Sequence, residues 1–304
     1  MSKQYFRKSG VYSFFLALLF TGSFAAQDMQ VIHEKTFDTT PGKILKVEAQ
    51  SASIKVETWS KNEVYVKVLG EEKVKAKFNF HFEQKDWGVY VSAKRKDSFW
   101  GIVWGRGYKM RIEVMVPASY NTRLSSSGGN IGVKDLYGSI DVKTSGGDIK
   151  LVNNTGNANM GTSGGDVIIK QHKGETRAST SGGDITASDV DGNLSVSTSG
   201  GDIDLKGGNG RIDASTSGGD VKLVYSGDNE GIDLSTSGGD IEVWLPSDFN
   251  AKANLRTSGG SISCDLTANN AVKISSSRFE ADLNKGGKLL KCTTSGGDID
   301  IKKK

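Results

Sequence analysis

Apolar residues in this chain recur in pairs separated by one residue. Counting from the first glycine of each Ser-Gly-Gly as zero, positions 3 and 5 are apolar. They are Ile149 and Leu151, Val167 and Ile169, Ile203 and Leu205, Val221 and Leu223, and Ile241 and Val243. Positions 12 and 14 repeat the pattern at Ile140 and Val142, Leu194 and Val196, and Ile212 and Ala214. Where longer copies shift the count, Ile232 with Leu234 and Val272 with Ile274 take the same role. A period of two is the pattern of a strand with one buried face. Each copy therefore predicts two short strands.

The copies are evenly spaced. The first glycine of Ser-Gly-Gly stands at 128, 146, 164, 182, 200, 218, 238, 259 and 296. Five intervals of 18 residues are followed by 20, 21 and 37. The last divides as 19 and 18 if Ser277-Arg278-Phe279-Glu280 is a decayed copy, which makes ten. One corner of each copy is Gly-Gly, and the other often holds Gly138, Gly156, Gly174, Gly192 or Gly210. Glycine suits both because it tolerates positive φ. A strand with one apolar face has to bury it. Two facing strands per copy give a flattened coil, and stacked coils pair equivalent strands in parallel. The expected fold is all-β: a two-sheet parallel β-solenoid of about ten 18-residue coils with an irregular β N-terminal region. At roughly 4.8 Å per coil the rod is on the order of 45 Å long.

The first residues follow another logic. Lys3, Arg7 and Lys8 precede an apolar run from Val11 to Phe20 and then Ser23-Phe24-Ala25. That order is a secretory signal, and the run is too short to span a bilayer. The expected organisation is residues 1–25 as signal peptide, 26–124 as β-rich cap and 125–304 as solenoid. In the cap, strands are expected at Ile44–Ala49, Ser53–Trp59, Val64–Val68, Phe78–Phe82, Gly88–Ala93 and Tyr108–Val116. Ser51-Ala52-Ser53-Ile54-Lys55-Val56 resembles a worn copy of the repeat. Lys302, Lys303 and Lys304 are expected to blunt the last strand edge. Loss of Lys3, Arg7 and Lys8 lowers the net charge from +4 to +1, which gives no electrostatic hold on nucleic acid. No other stretch is apolar enough to cross a membrane as a helix.

Polar positions form columns. Asp148, Asp166, Asp184, Asp202, Asp220, Asp240 and Asp298 follow Gly-Gly, with Asn130, Ser261 and Glu280 filling the other copies. Stacked carboxylates can bind cations, whereas an Asp in a turn accepts backbone amides; the second reading is preferred because stacked like charges need a local donor. The threonines before Ser-Gly-Gly fall on the inward parity. So do Cys264 and Cys292, a candidate disulfide in an oxidising compartment. Opposed sheets lie ~10 Å apart, however, beyond the ~7 Å Cα limit for an unstrained bridge. His33, His81 and His172 lack metal-ligand spacing. Acidic residues are spread rather than gathered, so no catalytic residue, cofactor or metal site is assigned. One segment breaks the polar rule for turns. Phe99, Trp100, Val103 and Trp104, with Arg106 and flanking Lys94, Arg95, Lys96 and Lys109, make either a membrane or partner contact or a lid on the first coil.

The Thr-Ser-Gly-Gly-Asp-Ile copies, with Gly147-Asp148-Ile149 as the specific part, resemble the bacterial putative adhesin family called toastrack domains. The resemblance implies a right-handed, β-helix-like fold, often exported or membrane-tethered, with no catalytic residues. The expected function is an exported, non-enzymatic binding or adhesion scaffold of the cell envelope, periplasmic, outer-surface or secreted. Its partner is an envelope component: glycan, lipid or protein. The alternatives are a carbohydrate-active β-helix enzyme and a calcium-stabilised β-roll, whose second Gly-x-Asp per coil this chain lacks.

Overall fold

Equivalent residues of successive copies pair side by side in the computed structural model, which describes residues 29–96 and 108–304. Ile149, Val167, Ile185, Ile203, Val221 and Ile241 form one parallel column, and Leu151, Ile169, Ala187, Leu205, Leu223 and Val243 the next. Across the interior, Ile140, Ala158, Thr176, Leu194, Ile212 and Ile232 stack in the second sheet. All these side chains are buried, while their neighbours in sequence face out. Among the described residues the two sheets hold 13 and 14 strands. Each buried Leu, Ile or Val contributes about 1.5–3 kcal/mol, so stability accumulates coil by coil from a slim interior.

Both corners bring a glycine against the carbonyl of the next coil, with an added Cβ 2.3 Å from it at Gly174 and 2.1 Å at Gly183, and they differ in backbone conformation. At the second corner Gly156, Gly174 and Gly192 have φ of 129°, 128° and 132°, as the sequence predicts. The Gly-Gly corner does not use positive φ. Its second glycine is required by proximity alone: a Cβ on Gly183 would lie 2.1 Å from the carbonyl oxygen of Gly165, one coil away. A Cβ on Gly182 would meet nothing nearer than 3.7 Å.

Chain order and spatial order differ at both ends. The strands Ile44–Ala49 and Ser53–Trp59 stack as a coil, with Ile54 beside Ile131. They lie between the pair Gly88–Arg95 and Met110–Pro117 and the pair Asn121–Ser126 and Ile131–Lys134. Both sheets thus run unbroken across residue 125. At the other end, Leu289–Thr293 and Ile299–Lys303 insert between the coil of Ile232–Ser235 and Ile241–Leu245 and that of Ala251–Arg256 and Ile262–Cys264. Lys302 and Lys303 therefore do not blunt the last edge. They pair with Trp244 and Leu245 inside the sheet, and Lys302 forms an ion pair with Glu242.

The expected decayed copy is a hairpin instead. Ala268–Ser275 and Arg278–Leu283 run antiparallel, with Ser275 beside Arg278. Arg278 and Phe279 stand where Gly-Gly would be needed, and a side chain there cannot make the backbone approach seen at Gly183. Antiparallel strands also finish the other end, where Gln30–Asp38 pairs with Glu63–Gly70 and Phe78–Lys85 with Gly88–Arg95. A short helix, Glu72–Lys77, joins Glu63–Gly70 to Phe78–Lys85.

Gly183→Ala is expected to cost about 1–3 kcal/mol by overpacking, whereas Gly182→Ala stays within about 0.5 kcal/mol. Denaturant unfolding of both variants checks this; equal effects would show that the carbonyl approach is not the constraint.

Candidate functional site

Along the Gly-Gly edge, threonine and aspartate clamp adjacent coils. Thr198 Oγ1 donates to the Gly183 carbonyl at 2.9 Å and accepts the Gly201 amide at 3.4 Å. Thr162, Thr180, Thr216, Thr236, Thr257 and Thr294 repeat both bonds. All are buried. The aspartates form a second ladder outside them. Asp202 Oδ1 accepts the Asp220 amide at 2.8 Å, while its own amide donates to Asp184 Oδ1 at 2.8 Å. The ladder runs from Asn130 through the seven aspartates to Ser261, with distances of 2.7–3.1 Å. The Asp column thus supplies acceptors for backbone amides, as turn aspartates do. Among the described residues no group of three or more His, Cys, Asp or Glu side chains is placed to hold a metal ion.

The opposite edge is variable. In the regular coils it is a tight glycine corner. Nearer the inserted coil it is made of three loops, 225–231, 246–250 and 284–288. They border an open cleft of about 470 Å³ lined by Ser226, Asp228, Asn229, Asp248, Asn250 and Lys288, among others. The same edge carries exposed apolar side chains towards the other end. Trp87 is 39 % exposed, Ile44 37 % and Tyr137 60 %. Inside this edge, Leu136, Asn154, His172 and Val190 form a buried column. Each follows a residue in the left-handed region: Asp135, Asn153, Gln171 and Asp189. Asn154 satisfies its amide by accepting from the Leu136 amide and donating to the Val133 carbonyl. His172 hydrogen-bonds through Nε2 to the Gly156 carbonyl at 2.9 Å, and its buried Nδ1 has no partner. Burial holds its pKa below 6.5, against the raising effect of that hydrogen bond.

A family model, Toastrack DUF4097, matches residues 43–302. The chain belongs to this family. No curated protein matches this toastrack chain. Crystal structures similar to this chain include three from different bacteria. One, from Bacteroides fragilis, is named a putative adhesin; it is 16% identical, covers 72% of this chain and 98% of its own, and has a TM-score of 0.49. Another, a putative cell adhesion protein from Clostridium sporogenes, is 13% identical over 90% of this chain and 100% of its own, with a TM-score of 0.23. A third, a putative lipid binding protein from Parabacteroides distasonis, is 14% identical over 91% of this chain and 97% of its own, with a TM-score of 0.37. At these scores the likenesses decide nothing about what this toastrack chain binds.

The residues singled out from the sequence fall in several places. Phe99, Trp100, Val103, Trp104 and Arg106 lie outside the described residues, as does the segment 1–25. The described residues beside the aromatic segment are basic and aromatic: Lys73 Nζ and Arg95 Cζ each lie 5.4 Å from the Tyr108 ring centroid. Cys264 and Cys292 sit on opposite sheets as separate thiols, diagonally placed in adjacent coils. Burial pushes both thiol pKa values up. His33 packs against Phe80 and Phe82 at the end of the stack, with a pKa lowered by burial and then by Lys75 and Lys35. His81 meets Glu83 at 3.1 Å. The structure brings none of these histidines together with a thiol. The cleft was visible in the sequence only as lengthened intervals after Gly218.

Asp202→Asn keeps the acceptor and is expected to change stability by no more than about 0.5 kcal/mol. Asp202→Ala removes it and costs about 0.5–1.5 kcal/mol. An Asn variant as unstable as the Ala variant in denaturant unfolding would contradict the ladder role. For His172, a pKa lower in the folded than in the unfolded chain means that stability is full above pH 6.5 and is lost as pH falls towards the native value. Unfolding free energy should therefore drop more between about pH 7.5 and about pH 5.5 in the native chain than in His172→Leu; parallel curves would contradict it.

Proposed function

We propose that this chain is an exported, non-enzymatic scaffold of the cell envelope that binds an envelope component along its variable edge. The observation that carries this reading is the contrast between the two edges. On the Gly-Gly edge the threonine hydroxyls and aspartate carboxylates are engaged in holding coil to coil. That edge is uniform because any departure would break stacking. The opposite edge admits longer loops, a cleft and exposed Trp87 and Tyr137 without disturbing the pairing of strands. In stacked-repeat proteins, insertions gather on one face, often the binding face. Export rests on the charged, apolar and small-residue order of residues 1–25. No described helix is long and apolar enough to cross a membrane. Most acidic side chains follow the repeat; Asp228 and Asp248, which line the cleft, are the exception, so the reading as a binder rests on the contrast between the edges. The Cys264–Cys292 bridge stays a proposal conditional on export, and the Phe99–Arg106 segment is a second proposed contact because basic and aromatic residues flank it.

A screen of the purified chain against neutral glycans and against anionic and zwitterionic liposomes tests the reading. The expected result is saturable binding, reduced at least about tenfold (~1.4 kcal/mol) by Trp87→Ser with Tyr137→Ser, by Asp228→Asn with Asp248→Asn, or by both. Asp202→Asn, on the other edge, should leave binding intact. Binding that neither edge variant weakens, but that Trp100→Ala with Trp104→Ala abolishes, would overturn the edge and place the contact at the aromatic segment.

A further inference from the structure

The cleft exists because the stack is built out of chain order. In space, loop 284–288 lies between loops 225–231 and 246–250, since the strand Leu289–Thr293 sits between Ile232–Ser235 and Ala251–Arg256. Two loops lengthened relative to the 18-residue repeat and the link from the hairpin to the inserted coil thus become neighbours. They are pinned to one another. Asn229 Nδ2 donates to the Asn250 carbonyl at 2.9 Å and the Lys288 carbonyl at 2.8 Å, so one side chain ties all three. Asn284 Nδ2 donates to the Ser247 and Phe249 carbonyls, and the Lys285 amide donates to Asn250 Oδ1. Below them the Tyr225 and Phe249 rings meet edge to face at 5.7 Å, and the Tyr225 hydroxyl donates to the Asp228 carbonyl at 2.6 Å. The walls are therefore held in place before any ligand arrives, which lowers the ordering cost of binding.

The lining selects a ligand chemistry. Asp228 and Asp248 are exposed residues that line the cleft, and their carboxylates make no hydrogen bond or ion pair among the described residues. Ser226 Oγ accepts from Lys304, which leaves its hydroxyl proton to donate. Lys288 is neutralised by its ion pair with Glu230. Two unpaired carboxylates repel anions. The apolar lining is limited to Pro246 and the buried Phe249, too little for an apolar ligand. A single cation needs several oxygens at about 2.3–2.6 Å, and 470 Å³ is far too large for one. What remains is a neutral molecule bearing many hydroxyl groups, whose O–H bonds the carboxylates accept. The volume lies within the roughly 300–1,000 Å³ of small-molecule sites. We propose that this cleft binds a neutral saccharide, with Asp228 and Asp248 as its hydroxyl acceptors.

The proposal rests on the reading of the variable edge as the binding edge. Its test is saturation-transfer NMR and calorimetry on the full chain with glucose, N-acetylglucosamine, maltotriose and chitotriose, and separately with calcium chloride. The single rings report a site for free sugar, the chains a site for glycan. Saturable binding of at least one saccharide is expected, weakened at least about tenfold (~1.4 kcal/mol) in Asp228→Asn with Asp248→Asn while the melting temperature is unchanged. Absence of binding by all four, unchanged affinity in the double variant, or a calcium response that the double variant abolishes would each overturn it. Glycan binding lost only in Trp87→Ser with Tyr137→Ser would overturn the cleft and leave the binding edge standing.

Discussion

Every regular coil depends on one close approach: the second glycine of Ser-Gly-Gly passes so near the carbonyl of the coil beside it that no side chain fits. At Gly147, Gly165, Gly183, Gly201, Gly219 and Gly239 an added Cβ would lie 2.1–2.2 Å from a backbone oxygen. This contact brings the neighbouring turns within hydrogen-bonding reach. The buried threonine then bonds to both turns, and the aspartate carboxylate caps the next amide. The motif is a joint between coils, and its repetition along the chain reflects a mechanical need. Parallel pairing of Ile, Val and Leu columns supplies the hydrophobic gain, but the glycine sets the spacing at which those columns meet.

The same constraint divides the surface into two kinds of edge. An edge whose threonine hydroxyls and aspartate Oδ1 atoms are engaged in stacking has less left for recognition, and any longer loop there would separate the coils. The other edge also has tight glycine approaches in its regular coils, at Gly156, Gly174 and Gly192, but nearer the inserted coil it carries longer loops. The out-of-order coil adds to this. By sliding Leu289–Thr293 between two earlier strands it brings three loops together. The antiparallel hairpins at both ends finish the stack with strands that do not follow the repeat. An open parallel edge invites pairing with another chain; antiparallel strands replace it in both sheets at the N-terminal end and in one sheet at the other, where the second sheet stops at the short strand Ile262–Cys264.

Much of the solenoid was legible in the sequence, because the period of two and the even spacing at 146, 164, 182 and 200 leave one arrangement. Of the cap, Ile44–Ala49 and Ser53–Trp59 were legible to the residue. The strand Gln30–Asp38 was not, since only Ile32 of its residues is buried and its alternation is faint. The helix Glu72–Lys77 buries only Val74, too little for a helical period to show. Spatial order was hidden for a deeper reason. Equivalent copies fit any neighbour, so nothing local in Leu289–Lys303 tells that it joins Leu234 and Leu255 rather than the end of the stack. The hairpin at Ser275 and Arg278 was misread because spacing alone suggested a copy where the essential glycines are missing. The cleft was half legible: the lengthened intervals were plain, but their meeting in space follows only from the inserted coil.

Hydrogen exchange resolved at single amides tests the central claim most directly. The amides of Asp184, Asp202 and Asp220 belong to exposed turn residues, yet each donates to a carboxylate one coil away. They should exchange as slowly as the strand amides of Ile185 and Ile203 beside them. Fast exchange at these three positions, with the strands still protected, would mean that the turns do not join the coils and that the stack is held in some other way.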